Sequence, residues 1–245
     1  MLLTGVAGAG LVAYLTLRPT QPWILWVTAG LLALAVDGLV RGNPRWDEGS
    51  PFTSVVYLLL PVLALLGAGL FIDNAAGGYA RPVSALAGAV MVGVVVFGEY
   101  QTVNFGSRLY GPMRLVLAIG TYLAAFALFT VIFDQDISLP VSGALVGIVA
   151  MGLSVELLRE SRLLGPSSLL VGIAIGISLA ELRLAFYFFP LDELLAAALL
   201  IIGFYLATGI VHHLLDRDLE VSTTAEYLLV ATVATAAVIV TRVFV

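Results

Sequence analysis

Residues 192–214 read "DELLAAALLIIGFYLATGIVHHL", and this stretch decides the fold. Charge sits at its start, in Asp192 and Glu193, and histidines at its end, in His212 and His213. Between Leu194 and Val211 there is no charged residue. A run of about 20 apolar residues, rising 1.5 Å each as a helix, crosses the roughly 30 Å hydrocarbon core of a bilayer. The stretch is therefore read as a transmembrane helix.

Working outward, the same pattern recurs. Apolar runs bounded by Pro, Gly and charge give nine candidate spans: 2–17, 22–40, 52–72, 82–98, 112–133, 138–158, 166–189, 192–214 and 225–243. The whole chain of 245 residues is 61% hydrophobic and 11% charged, with a mean hydropathy of +1.08. Soluble domains run at about 45–50% apolar and about 25% charged. The expected fold is all-α, a single polytopic transmembrane bundle over 1–245 with eight or nine spans and no soluble domain. The first span is short. Nothing positive precedes its apolar part, so it reads as a retained helix and not a signal peptide.

Absences narrow the chemistry. All eleven basic residues are Arg, which removes a lysine Schiff base and a phosphate-loop lysine. No Cys is present, which removes disulfides, thiolate zinc sites and iron–sulfur clusters. His212 and His213 are neighbours and cannot supply axial ligands from two helices. No cofactor is expected. A formal charge of −5 argues against nucleic acid as a partner. The expected partners are membrane lipids, and other membrane subunits or further copies of the chain.

Arg placement sets an expected orientation. Arg41, Arg45, Arg108, Arg114, Arg159, Arg162 and Arg217 fall on one side, and only Arg18, Arg81 and Arg242 on the other. The first side should be cytoplasmic in a prokaryotic plasma membrane, with the N-terminus inside and the C-terminus outside. Asp73, Asp134, Asp136, Asp192 and Glu193 then lie at the outer ends.

The span at 166–189 contains "GISLAELRLAFYFFP", from Gly176 to Pro190. It carries Glu181 and Arg183 well inside an apolar run. Residues two apart point about 200° apart on a helix, so they do not face each other. Each needs its own partner, a wet cavity, or a route to the headgroups. Left unpaired in hydrocarbon, each costs at least about 2.5–3.5 kcal/mol on insertion scales. Matching depths places Ser142, Gly143 and Gly147 of "VSGALVG" at the same level, a small-xxx-small pattern that permits close helix approach. Asp134, Asp136, Asp73 and Asp192 are candidate partners for Arg183, and Arg81 and Arg242 for Glu181. Glu181, Arg183, Ser142, Gly143 and Gly147 together form the candidate site. The competing reading is an ion pair that holds helices in register, or an Arg that reaches the interface.

Other groups give weaker signals. His212 and Asp216, four apart, could begin a metal site, but a helix end facing water explains them more simply. Glu156 and Arg159 suggest a solvated, salt-laced helix end. Asp37 lies one turn before Arg41. Glu99, Gln101 and Asn104 follow the fourth span and could line an inner entrance, but ordinary loop polarity explains them more simply. Thr223 and Glu226 suggest a capping box for the last helix.

"VSGALVG" resembles the serine-bearing helix of rhomboid proteases, which implies a nucleophilic Ser142 with His212 or His213 as base. Topology opposes this, because Ser142 and the histidines fall at opposite ends of their spans. "FFPLDELL" resembles the acidic proline motif of membrane lycopene cyclases at Pro190, Leu191, Asp192 and Glu193. Those acids equally suit the first turn of a helix. The run from Ala180 to Val230 resembles multi-pass membrane proteins of thermophilic bacteria such as Chloroflexota. That resemblance implies the membrane fold and transfers no catalytic residue. The expected role is a small carrier or membrane-complex subunit with a polar intramembrane site. A purely structural subunit, or an enzyme acting on a lipid or isoprenoid, is the alternative.

Overall fold

The computed structural model describes residues 2–17, 21–44, 46, 51–104, 106–160, 166–189, 191–216 and 221–244. Arg18, Arg45, Arg162, Arg217 and Pro190 lie outside the described residues, as does the side chain of Arg242. Among the described residues there are nine α-helices and no strand. They are α1 (Leu2–Thr16), α2 (Pro22–Arg41), α3 (Pro51–Ala75), α4 (Ala80–Thr102), α5 (Tyr110–Asp134), α6 (Leu139–Leu157), α7 (Pro166–Phe186), α8 (Glu193–Asp216) and α9 (Val221–Phe244). Seven of them, α2 to α8, are long and apolar enough to cross a membrane. The protein is a multi-pass membrane protein built as a helical bundle.

Packing divides the chain into two compact units, Met1–Leu128 and Phe129–Val245. In the first, α1 packs on α4 and α2, and α3 on α2 and α4. At 15 residues α1 is only about 22 Å long. Even so, Ala7, Leu11, Tyr14 and Leu15 form a buried face, so α1 is part of this unit's core. Small residues set the helix spacing. A Cβ on Gly69 would meet Leu25 at 2.7 Å, and one on Gly88 would meet Ile72 and Leu11 at 3.2 Å. Lipid gives no hydrophobic drive between helices, so close approach of this kind is what holds them.

In the second unit α6 and α7 form the most extensive pair, with α8 packed on α7 and α9 on α8. Phe129 and Phe204 meet edge to face at 6.4 Å in its interior. Two helix ends differ from the sequence reading. The α-helical part of α7 stops at Phe186, and Tyr187, Phe188 and Phe189 continue in tighter turns that bond three residues back, to Leu184, Ala185 and Phe186. Pro190 follows in the sequence, and a proline disfavours helical geometry in the residue before it. At α9 the backbone is already helical at Val221, so Thr223 lies inside the first turn and is not the N-cap.

Candidate functional site

Each side of α7 has a distinct neighbour. Gly176, Ala180 and Leu184 face α6: a Cβ on Gly147 would lie 3.0 Å from the Gly176 carbonyl oxygen and 3.2 Å from the Ala180 Cβ, and one on Gly143 would lie 3.1 Å from Leu184 Cδ2. Leu179 and Leu182 face α8, where a Cβ on Gly203 would meet Leu182 Cδ2 at 2.8 Å. The expected neighbourhood of α6 and α7 is therefore present, with Gly143 at the level of Ala180–Leu184 and Gly147 one turn deeper. The charges lie on neither glycine contact.

Arg183 lies between the α6 and α8 faces and is half-buried. Its guanidinium carbon sits 4.1 Å from the centre of the Phe133 ring at the end of α5, a cation–π contact. Its Nε is enclosed with no hydrogen-bond partner, and no carboxylate pairs with it among the described residues. The Ser142 Oγ is likewise fully buried, without a partner among the described residues. Glu181 lies on the opposite flank of α7, exposed, with no ion pair or hydrogen bond among the described residues. Its stripe comprises Leu170, Ile173, Ala174, Ile177, Ser178, Ala185 and Phe188, all exposed. The structure thus groups Arg183, Ser142 and Gly143 at one end of unit two and sets Glu181 apart from them. Because α7 ends at Phe186, both charges are also shallower than the sequence reading put them. Glu181 is five residues, about 7.5 Å, from that end, and Arg183 three residues, about 4.5 Å.

Residues 5–241 match the family described as "Protein of unknown function (DUF5656)". The chain belongs to that family. No curated protein and no solved structure matches the chain. The family description assigns no chemistry, so for this member of DUF5656 the side chains alone carry the functional argument.

Two proposed partners for the α7 charges are engaged elsewhere. Arg81 and Asp73 pair with each other in unit one: Arg81 Nη2 donates to the Asp73 carboxylate and, at 2.6 Å, to its backbone carbonyl. Tyr14 donates its hydroxyl to the other carboxylate oxygen at 3.0 Å. This buried junction ties α1, α3 and α4 together. The signal for it was present in "DNAAGGYAR", which places Asp73 and Arg81 on either side of a glycine turn where Gly78 has φ 54°.

Other groups depart from their sequence readings. Glu99 belongs to α4 and is fully buried, not loop polarity. Gln101 and Asn104 do reach an opening: with Asn43, Pro44 and Tyr100 they line a cleft of about 250 Å³. Glu156 pairs with Arg159 at 3.0 Å as expected, but Glu156 is buried and Arg159 half-buried where a solvated end was anticipated. The 3₁₀ turn Leu158–Glu160 follows α6 directly and carries Arg159. Asp37 bonds Arg41 at 2.9 Å, and Arg41 also reaches Ser54 at 3.2 Å.

His212 contacts Asp216 at 3.5 Å, the spacing that raised a metal site. Among the described residues no group of three metal-binding side chains forms. His213 turns instead to the Tyr227 ring at 5.7 Å, beside Tyr205. Asp192 acts at the start of α8, where its Oδ1 accepts the Leu195 N–H at 2.8 Å. It and Glu193 are exposed, which withdraws the main support for an isoprenoid-processing enzyme.

Proposed function

We infer that the protein is a subunit of a membrane complex and receives a transmembrane helix of a different protein along the Glu181 flank of α7. The observation that carries this reading is the exposed carboxylate about 7.5 Å inside the end of the helix, without a partner among the described residues. A carboxylate facing acyl chains is costly, and polar groups at such depth are covered by protein or water. Ala174, Ser178 and Ala185 share its stripe and let a second backbone approach closely. A basic side chain on the incoming helix neutralises Glu181. A second copy related by a two-fold axis would instead oppose carboxylate to carboxylate, which favours a different protein.

A carrier would need the two charges to converge on one translocation site. Their placement on opposite flanks of α7 favours the subunit reading. The test places a photo-reactive residue at Ala185 in native membranes. A discrete protein adduct is expected, strong in the parent and lost on Glu181→Leu. Adducts to lipid alone, or an adduct indifferent to Glu181→Leu, would defeat the reading.

A further inference from the structure

We propose that Arg183 is the seat of a phosphate group at the membrane interface, supplied by a phospholipid headgroup. Arg183 lies on the flank of α7 opposite Glu181, so this seat does not depend on the subunit reading. Arg183 is a fixed cation. Its guanidinium carbon sits over the Phe133 ring, 4.1 Å from the ring centre, and its Nε is enclosed by protein. The side chain as a whole is only half-buried, so the terminal nitrogens are the part that reaches the surface. No carboxylate neutralises it among the described residues: Asp192 caps α8, and Asp73 is held by Arg81 and Tyr14 in unit one.

Depth and surroundings identify the anion. Arg183 is about 4.5 Å from the end of α7, within reach of the headgroup level for a side chain of its length. Just beyond it, Tyr187, Phe188 and Phe189 are 65%, 81% and 60% exposed. Aromatic rings collect at the boundary between hydrocarbon and headgroups, so this collar marks the level of the lipid phosphates. An arginine whose terminal nitrogens are not enclosed matches a phosphate through two parallel charge-assisted bonds. On α6, a Cβ on Gly143 would meet Leu184, the neighbour of Arg183, at 3.1 Å, and Ser142 beside it has a buried Oγ with no partner among the described residues.

The experiment uses the full chain purified from mixed vesicles of phosphatidylglycerol and a phosphate-free galactolipid, with retained lipid counted by native mass spectrometry. The parent should retain phosphatidylglycerol preferentially. Arg183→Leu should lower that retention about tenfold, the order expected for loss of one charge-assisted pair. Arg183→Lys, which keeps the charge but not the fork, should lower it less. Phe133→Leu, which leaves the cation and removes its ring, should give a fall of about threefold, and it serves if Arg183→Leu fails to fold. Millimolar inorganic phosphate in the same preparation separates the sources. Displacement of the lipid shows a site open to free phosphate as well, and no displacement shows a site that takes the headgroup in place. Equal phosphatidylglycerol retention by the parent, Arg183→Leu and Phe133→Leu would overturn the proposal.

Discussion

Arg81, Asp73 and Tyr14 show what a buried charge demands of its surroundings. Arg81 is 7% exposed, and the Asp73 carboxylate is its one anionic contact among the described residues. Removing one partner of such a pair leaves a charge sequestered without compensation, which costs about 3–5 kcal/mol. Asp73→Leu should therefore destabilise unit one by that order, measured by titration with a denaturing detergent and followed by circular dichroism. Asp73→Leu combined with Arg81→Leu should recover most of the loss. Tyr14→Phe removes the hydroxyl's bond to Asp73, which should cost about 0.5–1.5 kcal/mol. If the double variant is as unstable as Asp73→Leu alone, the pair is not what the stability depends on. At this scale the sequence was informative about which residues needed partners and poor at choosing them. Asp73 and Arg81 were placed together at one end, as their pairing requires, yet depth alone offered them to Arg183 and Glu181. Their closeness across a glycine turn decides the matter, and that is a local property which a depth ruler does not register.

Among the helices, α6 and α7 depend on absent side chains. A Cβ on Gly176 would lie 2.6 Å from the Gly147 carbonyl oxygen, closer than real Cβ atoms come to backbone. Gly176→Ala must push the two helices apart and should cost about 1–3 kcal/mol, the usual range for overpacking. Gly30 provides the control, since nothing lies within 4 Å of a Cβ placed there. Gly30→Ala in the middle of α2 should be neutral, or stabilising by about 0.4–1 kcal/mol through the unfolded chain. The detergent titration checks both, and equal behaviour of the two variants would rule out a tight seam. The spacing in "VSGALVG" made this contact legible, because Gly143 and Gly147 had to meet something small. What the pattern could not supply was the rotation of α7, and that rotation turns Arg183 towards Phe133 and leaves Glu181 outside. The same limit applied at the end of α7, where the winding tightens after Phe186 and brings both charges nearer the interface.

At the scale of the molecule, most of the fold was legible because a bilayer accepts so few solutions: backbone groups must be satisfied within each span, so a long apolar run becomes a helix. The division at Leu128 and Phe129 was not legible, since it falls inside α5 with no change in composition. Sidedness rests on arginine, and the structure sharpens that argument. Arg81 is absorbed by Asp73, which removes it from the outer count; Arg114 is buried, and Arg159 is paired with Glu156. Exposed Arg41 and Arg108 remain, among the described residues, as the charges on which the expectation of a cytoplasmic side rests. Because the chain has no cysteine, single replacements report position cleanly. Asp136→Cys, between α5 and α6, should react with a membrane-impermeant maleimide added to intact cells. Arg108→Cys, between α4 and α5, should react only after the membrane is opened. The α5 helix separates the two positions and is long enough to cross the bilayer, so their reactivities must differ if it does. The opposite pattern would reverse the orientation and place the Arg183 phosphate seat in the cytoplasmic leaflet; equal labelling of both in intact cells would deny that α5 spans at all.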